Sequence, residues 1–106
     1  MAYDEGLAER VRDLLPDAEE KRMFGGVAWM ERGNLVVGVL GDDVIARVGP
    51  VASDAALAED GVRPFDFTGR PMKGWVVVAQ EALAEDEDLE TWVARCRAFT
   101  DGLPAK

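Results

Sequence analysis

Not one histidine occurs in the 106 residues, and that absence prunes the chemistry first. It removes serine or cysteine nucleophiles activated by imidazole, the usual zinc sites and the commonest proton shuttle near neutral pH. Asp, Glu, Lys and Tyr remain for acid–base work, but no catalytic constellation of them stands out, so no enzyme, no cofactor and no metal site are expected. Cysteine is almost missing as well: Cys96 alone cannot close an internal disulfide, which agrees with a reducing compartment. Positive charge is scarce, with 12 basic against 21 acidic residues and a net charge of −9. A phosphate backbone is repelled by that balance, and direct nucleic-acid binding is not expected. No run approaches the roughly eighteen apolar residues of a membrane helix. Met1-Ala2-Tyr3-Asp4-Glu5 carries acids where a signal peptide carries bases and an apolar core, so the expected location is the cytoplasm, away from the membrane.

What is present is enough for one globule. An apolar share of 48% can offset the ordering of the chain. A single domain over residues 1–106 should bury roughly 65% of the surface its unfolded form exposes. The acids are not spread evenly. Residues 1–20 hold seven acids and two bases, and residues 81–106 seven and three, whereas residues 61–80 set Arg63, Arg70 and Lys73 against Asp66 alone.

Leu7, Val11, Leu14 and Leu15 recur at helical spacing, which predicts an amphipathic helix over about residues 4–15, ended by Pro16. Residues 16–21 read as a polar connection. Residues 23–30 and 34–40 read as strands joined by Arg32-Gly33-Asn34, and Gly41-Asp42-Asp43 turns into a third strand over 44–48. Gly49-Pro50 breaks the sheet; Ser53 caps a short helix to Glu59, closed by Gly61. Phe65-Asp66-Phe67 alternates as a short strand, and Thr68-Gly69-Arg70-Pro71 turns into a strand over 73–79. The last helix opens in the acids of residues 85–90, placed at the positive end of its dipole. It buries Leu89, Trp92, Val93, Cys96 and Phe99, then stops at Gly102 and Pro104. The expected fold class is α+β: a two-layer α/β sandwich with an antiparallel five-stranded sheet, in the order α-β-β-β-α-β-β-α.

Three helices cover one face of such a sheet. Yet residues 35–40 and 75–78 are apolar at both strand parities, where a half-exposed sheet should alternate. A cover over the second face is therefore expected, by self-association or by a protein partner, the alternative being helices that lie partly on both sides. Gly25-Gly26 reads as a bulge or a close approach of a helix, or as a place where a ligand reaches the main chain beside Arg22. Arg47 alternates with Ala46 and Val48, while Arg63, Arg70 and Lys73 flank the later hairpin. They read as solvated hairpin charges, or as a small basic patch for a carboxylate, a phosphate or an acidic protein segment. Cys96 lies on the apolar stripe of its helix and reads as core.

Met23-Phe24-Gly25-Gly26, the strand pair ending near Gly41-Asp42, Arg47 in the third strand, residues 63–70 and the helix with Leu89-Glu90-Thr91-Trp92 together resemble the TfoX (Sxy) N-terminal domain family over about residues 20–100. The resemblance implies an antiparallel α+β domain and regulation of natural competence through protein partners, with no catalytic residues and no cofactor. Longer members carry a second, C-terminal domain, so a short stand-alone form is expected here. The leading expectation is thus a non-enzymatic regulatory or adaptor domain that binds a protein partner, or a second copy, through its sheet face, with Arg47 and Trp75 in the contact. The alternative is a small-molecule or anion sensor using Arg22, the Gly25-Gly26 backbone and Lys73.

Overall fold

The computed structural model describes residues 3–23, 25–66, 69 and 72–105. Helix α1, Glu5–Leu14, starts where Asp4 Oδ1 accepts the Leu7 N–H at 3.1 Å, so that one of the free amides of its first turn is satisfied. Its apolar stripe buries Leu7, Ala8 and Val11, followed by Leu15. The chain then forms a meander of four strands: β1, Glu19–Met23; β2, Gly26–Glu31; β3, Asn34–Leu40; and β4, Asp43–Arg47. Helix α2, Ser53–Leu57, and strand β5, Val62–Pro64, lead to β6, Trp75–Val78. A 3-10 turn over Gln80–Leu83 and the long helix α3, Asp86–Thr100, complete the fold.

The sheet has six strands in the order β1-β2-β3-β4-β6-β5, every neighbouring pair antiparallel. The five-stranded count needs correction. The sixth strand is β1, whose Glu19, Glu20, Lys21 and Arg22 are all exposed. An edge strand is held by its ladder to β2 and needs no apolar side chains, and charge on it discourages pairing with another chain. Gly25 then lies in the tight turn between β1 and β2, and Gly26 is the first residue of β2, opposite Met23, with no bulge in that ladder. Gly25 has a φ of +81°, and a Cβ on Gly26 would run into the Val39 carbonyl of β3. Strand β5 ends at Pro64 instead of spanning residues 65–67; Phe65 packs just beyond it, and Phe67 lies outside the described residues. Ser53 is the first residue of α2 with Ala52 before it, and its Oγ donates to the Pro50 carbonyl at 3.2 Å.

Leu89, Trp92, Val93 and Cys96 of α3, the stripe of α1, Ala56 of α2 and Leu83 pack on one face of the sheet, against Val27, Trp29, Val37, Val39, Val44, Ala46, Val76 and Val78. The register explains part of the missing alternation. Trp29 pairs with Val37 but Met30 with Leu35, so a bulge leaves Val36 over. Val36 and Val37 consequently both join the helix-side core. On the other face the chain supplies its own cover: Phe65 seals Ile45 and Val77, with Leu40, Met72 and Trp75 packed around them. Among the described residues Val51 is the one large apolar side chain left open, at 97% exposure, and no helix is long and apolar enough to cross a membrane.

The β2–β3 hairpin fixes the end of α3. Arg32 and Gly33 both have positive φ, 54° and 79°, as the two central residues of a hairpin turn that matches strand twist require. From that turn Arg32 Nη2 donates to the Thr100 carbonyl at 2.8 Å, and Asn34 Nδ2 to the Pro104 carbonyl at 3.0 Å. Arg97 meets Glu31 at 3.3 Å. The last turn of α3, and Phe99 with it, is therefore held at the end of the sheet.

Candidate functional site

Phe99 is what turns a strand pair into a site. In the ladder between β4 and β6, Arg47 stands opposite Trp75, two residues along from the pair Ile45 and Val77. Alternation puts Arg47 and Trp75 on the face away from the helices. At the end of the sheet the Arg47 guanidinium reaches both rings, 5.1 Å from the centre of Trp75 and 5.6 Å from that of Phe99 of α3. Both distances are within the range of cation–π attraction. Trp75 is itself steadied by Phe65, with ring centres 6.0 Å apart.

The backbone lets these groups come together. Gly49, at φ +89°, has no room for a Cβ, which would enter the Phe99 ring. A Cβ on Gly74 would stand 3.0 Å from the Gly49 carbonyl carbon and the Pro50 nitrogen. The amides of Val48 and Gly49 both donate to the Gly74 carbonyl, at 2.9 and 3.0 Å. The result is a small cleft of about 70 Å³ walled by Arg47, Gly49, Pro50, Lys73, Gly74, Trp75 and Phe99. Beyond Phe99 it meets a wider, open apolar groove of about 420 Å³ between residues 48–52 and the Arg95, Ala98 and Phe99 side of α3.

Electrostatics single out Arg47. Arg10, Arg12, Arg32, Arg63, Arg95 and Arg97 each hold a carboxylate of this acidic chain. Arg22 rests over the Tyr3 ring at 6.0 Å. Arg47 has no ion pair among the described residues; its one hydrogen bond runs from Nη1 to the Leu35 carbonyl at a long 3.4 Å. Burial, with no acid to offset it, lowers its pKa from the ordinary guanidinium value, although the group stays charged at any physiological pH. A partly desolvated cation with unused N–H donors favours an incoming carboxylate or phosphate. Lys73 stands exposed at the rim, also without an ion pair among the described residues.

The remaining expected site residues are placed elsewhere. Arg22, Gly25 and Gly26 lie at the β1 edge, four strand spacings and so roughly 19 Å from β6. The structure thus does not bring Arg22 and the Gly25-Gly26 backbone together with Lys73. Arg63 is tied to Asp43 at 2.6 Å, on a separate hollow with Ile45 and Phe65. Arg70 lies outside the described residues. The sequence places Phe99 only as core, Gly49 and Pro50 only as a break in the sheet, and Gly74 only within the strand over 73–79. Their one hint in the sequence is a glycine close to each strand at the Arg47–Trp75 end of the β4–β6 pair, which becomes meaningful once the register is known.

Other perturbed groups serve the fold. Gln80 Nε2 donates to Asp4 Oδ2 at 2.7 Å, and together with the Leu7 amide it holds the Asp4 carboxyl below its ordinary range. Arg12 grips Glu20 through Nε at 2.7 Å and Nη2 at 3.1 Å, which lowers Glu20 and raises Arg12. Burial pushes the Cys96 thiol up to about 12. No group of three or more Asp, Glu or Cys among the described residues is arranged to hold a metal ion.

The family model of the TfoX N-terminal domain matches residues 9–100, and the chain belongs to that family. Comparison with curated proteins and with solved structures finds no match.

Proposed function

We propose that this TfoX N-terminal domain is a cytoplasmic, non-enzymatic regulatory or adaptor domain that works by binding a protein partner through the Arg47, Trp75 and Phe99 cleft. The observation that carries the reading is the guanidinium of Arg47, without an ion pair among the described residues and in contact with two rings, on a chain whose net charge is −9. Folding such a group without an acid is unfavourable, and a partner's acid would relieve it. Three further features support the reading. The titratable groups with shifted pKa values, Asp4, Arg12, Glu20, Arg47 and Cys96, do not gather at one place, and each is accounted for by a packing or pairing contact. The cleft at Arg47 by itself, about 70 Å³, is far below the roughly 300 Å³ at which small-molecule pockets begin, and the larger groove beside it is open and apolar, with its Arg95 already paired to Glu59. Membership of the family brings with it the link to competence regulation through protein partners that the sequence resemblance implies, and that link is part of this proposal.

Self-association through the sheet face is the weaker form of the idea. Phe65 already covers Ile45 and Val77, and two copies would each bring a charge of −9. The test is capture from a native lysate by the tagged domain beside Trp75→Glu and Arg47→Glu variants, with retained proteins identified by mass spectrometry. A protein retained by the wild type and by Arg22→Glu, but lost from both cleft variants, is the expected result. Retention of the same proteins by all four would sink the assignment.

A further inference from the structure

Resting on that reading of the cleft, we propose that the partner presents a short acidic segment in which a carboxylate docks on Arg47 and a neighbouring apolar side chain enters the groove beside Phe99. Two adjoining features of unlike chemistry define the occupant. The small cleft offers an uncommitted cation with Lys73 at its rim, and it has room for a carboxylate but not for a metabolite. The groove next to it is lined almost wholly by carbon, and Val51 projects at its edge with 97% exposure. Phe99, Gly49 and Pro50 line both, so a ligand spanning the two needs its acid and its apolar group only about a residue apart.

Charge fixes the polarity of the match. The other cation on the groove, Arg95, is already spent: it holds Glu59 at 2.9 Å and lies 4.0 Å from the centre of the Trp92 ring. A basic segment would find no free acid in the cleft and would place its charge on Arg47. An apolar segment without an acid would leave Arg47 buried and unpaired, at the desolvation penalty of a charged donor. An acid next to an apolar residue answers both, and steering by Arg47 and Lys73 acts locally against the repulsion of the acidic helices.

The probe is an array of synthetic octapeptides, each with a central Asp or Glu beside Leu, Ile or Phe, against matched peptides with Asn or Gln in place of the acid and Ala in place of the apolar residue. Fluorescence polarisation with the whole domain should give binding for the acid–apolar set. It should weaken tenfold or more on either peptide change, on Arg47→Gln and on Ala98→Glu, with a smaller loss on Lys73→Glu. Thermal melting shows that each variant is folded, and exposed Lys73 keeps the test valid if Arg47→Gln is not. Equal binding of the acid and amide peptides, or no binding of the acid–apolar set, overturns the proposal. So does a dimer that forms with rising concentration and is lost in Arg47→Gln, because the occupant is then a second copy. Capture of a partner that depends on Trp75 alone, with the array silent, rejects the acidic segment while leaving the adaptor reading in place. Loss of both results rejects both.

Discussion

Phe65→Ala is the most informative change to the fold, because it asks whether the chain itself covers the second face of the sheet. Phe65 is 6% exposed and seals Ile45, which has no exposure, and Val77 at 7%. It also carries the ring contact that steadies Trp75. Truncating a buried Phe to Ala removes about 3–5 kcal/mol. Phe65 sits on a connection at the sheet surface that can settle after truncation, which argues for the lower end, about 3 kcal/mol. In a domain near 100 residues each kcal/mol moves the melting midpoint by roughly 4–8 °C, so the fall should be about 12–24 °C. Urea unfolding followed by tryptophan fluorescence reads the same loss as a lower midpoint with little change in slope. Phe65→Leu, which keeps most of the volume, should lose less than about 1.5 kcal/mol. Size-exclusion chromatography should show Phe65→Ala associating as Ile45 and Val77 open to water. A loss below about 1 kcal/mol without association would refute the reasoning, since the face would then not depend on Phe65 for its cover.

Gly26→Ala should cost about 1–3 kcal/mol, measured by urea unfolding, because its Cβ meets the Val39 carbonyl; Gly6→Ala, in α1 with only Asp4 Oδ1 near at 3.2 Å, should be far milder. Arg12 holds Glu20 below its ordinary pKa, so this pair's contribution is complete above the usual carboxylate range and is lost as pH falls through the depressed value. Urea midpoints of the wild type and Arg12→Gln should therefore differ most near pH 7 and converge toward pH 3. The gap should be small and shrink in salt, since both side chains face solvent. Cys96, buried and with its thiol pushed up to about 12, should resist a thiol reagent at pH 8 in the native state and react at the rate of unfolding in urea.

The helices and the central hairpins were legible because their signals are local. Leu7 and Val11, or Leu89, Trp92, Val93 and Cys96, repeat with the helical period, and Arg32-Gly33 and Gly61 mark turns through backbone geometry. Strand β1 was not legible, because Glu19, Glu20 and Lys21 pair by main chain alone and carry no apolar pattern. The apolar excess of residues 35–40 signals a cover over the second face, expected there from a second copy or a partner, whereas the chain's own Phe65 packs on that face. Its causes, the bulge at Val36 and the packing of Phe65, depend on register and on a return of the chain that no local pattern encodes. Arg47 and Trp75 were singled out as residues, but their meeting follows from the β4–β6 register, and Phe99 joins them because Arg32 and Asn34 hold the end of α3 in place.

The central claim is that Arg47, Trp75 and Phe99 form the contact surface, and partner titration into the labelled domain followed by nuclear magnetic resonance tests it most directly. With a partner identified by capture, the account predicts the largest shifts at the Arg47 Nε and Trp75 Nε1 signals and at the amides of Lys73, Val51 and Phe99. Shifts concentrated instead at Arg22 and the β1 edge, with the Arg47 and Trp75 side chains silent, would contradict it.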